Sequence, residues 1–273
     1  MNRGFVVLAQ NTKDVDYIKC AEVLASSIKR VMPNESITLI TNDIKKSKYF
    51  DSVVKLPYGD LAPNSKWKLI NDWQVYEASP YEYTIKLEAD MYIPSNIDYW
   101  WDVLKQRDVV ISNAIRNFRG EISDVRIYRK FIDDNNLPDV YNAITYFKKS
   151  DEAKQFFDIV RDIFENWDQY KHTLKCNPYE EVSTDWAYAI ACHVIGTENT
   201  TIPSFTPMSM IHMKQYINGT PTEDWTDTLI YECLPDQIRI HTCPQLYPFH
   251  YHIKTFSDKI RASMKLTQPK SNF

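Results

Sequence analysis

The sequence predicts an α/β protein built on a largely parallel sheet with helices on its faces. Three observations carry this. Residues 5–9 form a continuously apolar run closed by the polar break Gln10-Asn11-Thr12, the pattern of a short buried strand. Val15, Ile18, Ala21, Leu24, Ala25, Ile28 and Val31 then recur at helical spacing until Pro33-Asn34. A second apolar run at 37–40 follows, and strand, helix and strand at this spacing make a βαβ unit with parallel strands.

The remaining elements follow in order. Asp14 and Asp16 fall in the first turn of the first helix, where carboxylates suit the helix dipole. Residues 53–56 read as a third strand, ended by Pro57. A helix over 66–77 (Trp67, Ile70, Trp73, Val75) leads through Pro80 to a strand at 83–87, directly followed by Glu88-Ala89-Asp90. Residues 96–104 read as helix, 108–112 as strand, 113–136 as a polar stretch without a clear period, and 140–147 as strand. Ala153, Phe156, Phe157, Val160, Ile163, Phe164 and Trp167 share one face of a helix over 151–170 that Ser150 can cap. A shorter helix, 185–195, starts after Ser183-Thr184. Beyond Gly196 the pattern loosens into short strands and loops, ending in a basic polar tail from Lys265 to Phe273. No repeat or shift of composition divides the chain, so one domain over 1–273 is expected.

Composition removes several function classes. Only 5 of 273 residues are Gly and no Gly-rich loop appears, which argues against a P-loop or dinucleotide fingerprint. A formal charge of −4 supplies no general attraction to nucleic acid or anionic membrane. The five cysteines are odd in number and scattered, which suits reduced thiols better than a disulfide framework. Neither a signal peptide nor a membrane-length apolar run is present, so a cytoplasmic protein without a membrane partner is expected.

In such sheets ligands sit beyond the carboxyl ends of the strands, which makes Gln10, Asn11, Thr12 and Asp43 candidate nucleotide contacts. Glu88 and Asp90 are two apart on leaving a strand, so both can point to one side. Two carboxylates on one side repel unless a cation lies between them, and a hard ion such as Mn2+ or Mg2+ is a natural occupant. Two acids in a loop after a strand are the plainer reading of the same residues.

Further segments fall in a familiar order: Trp67-Lys68-Leu69-Ile70, Ile85 to Asp90, Asn142-Ala143-Ile144-Thr145-Tyr146-Phe147, Ser183-Thr184-Asp185 and His250-Tyr251-His252-Ile253-Lys254. With them the chain resembles the GT-A glycosyltransferases, in particular the glycogenin and galactosyltransferase group. Trp67 to Pro80, Trp100-Trp101, Tyr128-Arg129-Lys130, Asn136-Leu137-Pro138 and Tyr146 to Ser150 are similar to GT-A-like proteins of T-even-type phages. The resemblance covers most of 5–195. It departs from the family at Glu88, where Asp is usual, at Ala143-Ile144 in place of Ala-Gly, and in a C-terminal element that lacks the family's glycine.

That resemblance implies a GT-A mixed, largely parallel sheet whose first part, about 1–112, binds a nucleotide sugar and whose remainder, about 113–273, binds the acceptor. It implies a metal-dependent transferase using Mn2+ or Mg2+ and a nucleoside-diphosphate sugar, a UDP-sugar by likeness. Asp90 would bind the metal, with Glu88 on the ribose or a metal-bound water. His250 or His252 would supply a further ligand, and His212 with Lys214 forms a second His–Lys element. Lys254 would neutralise the diphosphate, and Lys68 falls with the donor contacts. Asn142 would contact sugar or acceptor. Asp185 is a general base, a substrate-binding group, or simply a first-turn acid.

Arg116, Arg119, Arg126, Arg129 and Lys130 lie within fifteen residues, interleaved with Phe118, Tyr128 and Phe131 and opposed only by Glu121 and Asp124. Arginines among aromatics suit phosphate contact and base stacking. With the phage likeness this points to an acceptor hydroxyl on a hydroxymethylated pyrimidine in DNA; a solvated basic loop is the plainer reading. The competing functions are an inactive nucleotide- or DNA-binding protein on the same fold, or a virion structural or interaction protein.

Overall fold

A computed structural model describes residues 2–43, 47–65, 67–127, 129–202 and 207–265. Lys66, Tyr128 and the tail from residue 266 lie outside the described residues. The chain opens with the expected βαβ unit: β1 (Arg3–Leu8), α1 (Tyr17–Val31) and β2 (Ile37–Ile40), with β2 parallel to β1. Asp16 is the N-cap of α1 rather than a first-turn acid, its side chain accepting the Lys19 N–H at 3.0 Å. The helix buries Cys20, Ala21, Leu24, Ala25 and Ile28 against the sheet. β3 (Ser52–Val54) extends the sheet beyond β2.

The expected helix over 66–77 is a 3-10 segment, Leu69–Gln74, running into α2 (Val75–Ala78). Its polar side chains are buried and serve the neighbouring loop: Asn71 Oδ1 accepts the Leu61 N–H at 2.9 Å and Gln74 Oε1 the Tyr58 N–H at 3.0 Å. Those bonds fix the segment more than helical periodicity does.

β4 (Tyr83–Glu88) pairs with the other side of β1, in parallel, with Leu8 opposite Glu88. After the turn at Ala89-Asp90 the chain enters β5 (Met91–Tyr92), then α3 (Trp100–Leu104), shorter than expected. The helix starts late, because Asn96 Oδ1 accepts the Asp98 N–H at 2.7 Å in a local turn. β6 (Val109–Ser112) follows, and the stretch without a period holds β7 (Ile115–Arg116) and α4 (Lys130–Asp134). β8 (Tyr141–Lys148) inserts antiparallel between β4 and β6, giving the six-stranded order β3-β2-β1-β4-β8-β6. The sheet is therefore mixed, with its first four strands parallel. Strand order reverses between β1 and β4, where a crevice opens at their carboxyl ends.

The long helix is α5 (Asp151–Glu165), capped by Ser150 as expected, and it breaks at Asn166 into α6 (Trp167–Tyr170). α7 (Thr184–Ile195) starts at Ser183, whose side chain accepts the Trp186 N–H at 3.2 Å. α8 (Thr197–Thr200), β9 (Met210–His212) and α9 (Gln215–Asn218) follow. β10 (Tyr231–Cys233), β11 (Ile238–Ile240) and β12 (Cys243–Pro244) make a small antiparallel sheet before β13 (Phe249–His250) and α10 (Phe256–Ser263). A second sheet, β5-β13-β9-β7, hangs from the main one at Ala89-Asp90. In it His250 lies opposite Met91 on one side and His212 on the other. The five cysteines are free thiols, and no described helix is long and apolar enough to cross a membrane.

Candidate functional site

Glu88 is the last residue of β4, and Asp90 sits in the two-residue link to β5. The link spans two sheets, which draws β13 and the segment after it onto the acidic pair. Asp90 Oδ2 lies 3.0 Å from His250 Nε2 and 2.9 Å from Lys254 Nζ, and the Asp90 carbonyl accepts the Tyr251 N–H at 3.2 Å. Burial alone would raise the Asp90 carboxyl, but the adjacent His250 and Lys254 outweigh it and hold it well below the usual carboxylate range. The same contact works in reverse on the partners: burial opposes their charge, yet Asp90 raises both His250 and Lys254. Glu88 Oε2 is 3.3 Å from His250 Nε2, and burial pushes its carboxyl up against the opposing pull of His250 and Lys86.

Three imidazoles meet here. His212 stacks on His250 with ring centroids 4.6 Å apart, and His252 stands 6.1 Å from His250. Burial, then the neighbouring His250, keeps His212 well below the ordinary histidine range and brings His252 down to about 3. His252 has a left-handed backbone, φ 64°, inside a three-residue turn closed by the Ile253 N–H on the Tyr251 carbonyl at 2.7 Å. A non-glycine residue held so costs about 1–3 kcal/mol and persists where its surroundings impose it. Asp90, His250 and His252 each offer a ligand atom, all within 4.8 Å of one another.

The other wall comes from β8 and α7. Asp185, in the first turn of α7, receives the Asn142 backbone N–H on Oδ1 at 3.0 Å and Arg129 Nη1 on Oδ2 at 3.0 Å. With the Asn142 amide turned so that its nitrogen faces acceptors, that nitrogen reaches Asp185 Oδ1 at 3.0 Å and Glu88 Oε1 at 3.3 Å. Asn142 thus ties Asp185 to the acidic pair. Beneath it lies Lys86, 1% exposed, with Nζ 2.9 Å from Asp72 Oδ1; Tyr188 donates its hydroxyl to Asp72 Oδ2 at 2.5 Å. Sequence reasoning passed over Lys86, although a lone lysine in an apolar strand with the parity of Glu88 is a readable signal.

These walls enclose a cleft of about 300 Å3. Of the residues expected at the site, Gln10, Thr12, Lys68, Glu88, Asp90, Asn142, Asp185, His250, His252 and Lys254 line it, joined by His212 and Lys214. Tyr17, Asp72, Lys86 and Thr184 line it unforeseen. Gln10 Oε1 accepts from Asn71 Nδ2 at 2.9 Å, while its Nε2 is buried without a hydrogen-bond partner among the described residues. Lys68 pairs with Asp60 at the rim. Asn11 and Asp43 are not in the lining; Asn11 instead accepts the Ile18 N–H at 3.0 Å and steadies the start of α1.

The basic segment does not gather into one surface. Arg116 is buried, donating to Ser209 Oγ at 2.9 Å and the Gly120 carbonyl at 2.7 Å, with its guanidinium over Tyr247. Arg129, 3% exposed, donates to Asp139 Oδ1 at 2.7 Å, to Asp185 and to the Val140 carbonyl at 2.7 Å. Arg126 pairs with Asp133 and Asp139, and Lys130 with Asp134 four residues on. Arg119 and Lys130 point outward, Arg119 over the ring of Phe118. The acids that neutralise these cations, Asp133, Asp134, Asp139 and Asp185, lie after the basic stretch itself.

No protein-family model and no curated protein sequence matches the chain. Among solved structures it is similar to the galactosyltransferase LgtC in complex with donor and acceptor sugar analogues, at 11% identity over 72% of each chain, with a TM-score of 0.49. Mouse xyloside xylosyltransferase 1 aligns at 9% identity over 74% of this chain and 84% of that one, with a TM-score of 0.46. The glycosyltransferase GlyE of Streptococcus pneumoniae aligns at 12% over 74% of this chain and 45% of its own length, with a TM-score of 0.42. Likeness at this level leaves the functional case to the residues of the cleft.

Proposed function

We propose that the chain is a metal-dependent glycosyltransferase of the GT-A kind, taking a nucleoside-diphosphate sugar and delivering the sugar to a hydroxyl acceptor. One observation carries this reading: Asp90, His250 and His252 converge within 4.8 Å at the reversal between β1 and β4, with Lys254 Nζ 2.9 Å from Asp90. A carboxylate and two imidazoles fit a divalent ion, and a lysine already neutralises the carboxylate where a cation belongs. Bound there, such an ion would offset the charge that develops on a diphosphate leaving group.

The chain's own residues would share the remaining work. Lys254 can exchange Asp90 for a phosphate oxygen without leaving the cleft. Gln10 can offer the nucleotide its Nε2, which has no partner among the described residues, and Lys68 also lines the cleft. Asn142 and Asp185 face the sugar from the opposite wall. Both oxygens of Asp185 are engaged, which favours an orienting role over that of a proton acceptor. The cations of residues 116–130 are largely satisfied within the chain, so they lend no support to a DNA acceptor, and the acceptor is left as a hydroxyl compound of unassigned class.

The test is a thermal-shift screen of nucleoside diphosphates and nucleotide sugars with and without Mn2+. Stabilisation requiring nucleotide and metal together, and abolished in Asp90→Asn, is the expected outcome. Stabilisation by neither would refute the reading.

A further inference from the structure

We infer that Asp90, His250 and His252 bind the ion together, so that the site selects a nitrogen-preferring divalent transition ion, such as Co2+ or Zn2+, over Mg2+. The inference rests on the metal-binding part of the proposed function and not on sugar transfer. Glu88, the expected co-ligand of Asp90, is not part of the converging set; His252 is. The difference matters because it changes the donors from two carboxylates and one imidazole to one carboxylate and two imidazoles. Mg2+ takes oxygen ligands and releases its waters reluctantly, whereas imidazole suits the later first-row ions. Ligand atoms bound to one such ion at about 2.0–2.2 Å stand roughly 3–4 Å apart, so a span of 4.8 Å needs only a small closure.

Two features hold His252 in this place. Its backbone takes a left-handed conformation uncommon for residues other than glycine, and the turn around it is closed by the 2.7 Å Ile253–Tyr251 hydrogen bond. The turn follows directly on β13, which aligns His250 beside His212 and so fixes one imidazole before presenting the second. His250 and His212 each keep a buried Nδ1 without a partner among the described residues, so neither ring is committed to a structural hydrogen bond through that atom.

The experiment is a Co2+ titration of the intact chain without nucleotide, followed by the visible ligand-field absorption of the bound ion. One Co2+ per chain with a nitrogen-ligated spectrum is expected, displaced by stoichiometric Zn2+ but not by about a hundredfold excess of Mg2+. His252→Asn tolerates the left-handed backbone and lacks the imidazole, and should weaken Co2+ binding at least about tenfold with an unchanged circular dichroism spectrum. Absence of Co2+ binding, displacement by Mg2+ at comparable concentration, or wild-type Co2+ affinity in folded His252→Asn would each overturn the assignment. A wild-type Co2+ spectrum showing one nitrogen ligand rather than two would overturn it as well, even if the variant does not fold. Co2+ bound as described, with no response to any nucleotide sugar, would sink the transferase reading and leave this assignment standing.

Discussion

Lys86 is the residue whose environment departs furthest from its type. Lysine is almost never fully buried without a partner, and here Asp72 lies 2.9 Å away, with Tyr188 holding the far oxygen of that carboxylate. A buried pair adds little net stability, because desolvation offsets the attraction, but removing one partner strands the other charge. Lys86→Met should therefore cost about 3 kcal/mol or more, a drop in Tm on the order of 10 °C by differential scanning calorimetry. An unchanged Tm would mean Asp72 finds another counter-charge. Glu88 and Asp90 were legible as a pair from their spacing alone. Their division of labour was not, since only Asp90 touches Lys254, and that contact joins residues 164 positions apart in the chain.

At the scale of elements, Arg129 connects α4, β8 and α7. It holds Asp185 at the start of α7, the Val140 carbonyl at the entry to β8, and Asp139, which also binds Arg126. Removing it frees the oxygen of Asp185 that it now orients. If Asp185 orients the sugar, Arg129→Gln should lower kcat on the order of 10- to 100-fold while nucleotide affinity changes little, because misplacement of about 1 Å costs that much in a positioned reaction. Steady-state kinetics with the donor identified in the thermal screen provide the measurement, and a wild-type kcat would remove Arg129 from the positioning apparatus. Periodicity located α1 and α5, and the Ser183 cap located α7, which buries the consecutive residues Ala187 to Cys192 rather than one face. Periodicity missed the 3-10 segment and α4, where buried polar side chains and ion pairs, rather than an apolar stripe, hold the backbone.

For the whole molecule, the histidine cluster makes stability depend on pH. The folded chain keeps His252 neutral down to about 3, against an ordinary value of 6.5, and His212 is depressed as well. The unfolded chain takes up these protons near the ordinary value, so it binds more protons than the folded chain in acid, and stability falls as pH drops. His250 is shifted the other way, so its stabilising effect is already present below pH 6.5, while Glu88, raised by burial, takes up a proton in the folded chain and offsets part of the loss. The metal-free protein should lose about 1–2 kcal/mol between roughly pH 6.5 and pH 5, seen as a falling Tm in low-salt buffer. A Tm that rises over that window would show that the three rings do not share the site.

Resemblance to a known family supplied the candidates Asn142, Asp185 and the 250–254 segment, whereas the pattern of the sequence itself determined the α/β class, the opening βαβ unit and the Glu88–Asp90 pair at the carboxyl end of a strand. These are local properties: hydrophobic period, strand termination and side-chain parity act over a few residues. Tertiary structure decided which of those candidates meet, that β8 enters the sheet antiparallel, and that the basic segment is bound by acids after it and at Asp185. It also turned His252 toward Asp90. Contacts of this kind depend on how two sheets share one link at Ala89-Asp90, and no short window of sequence records that geometry.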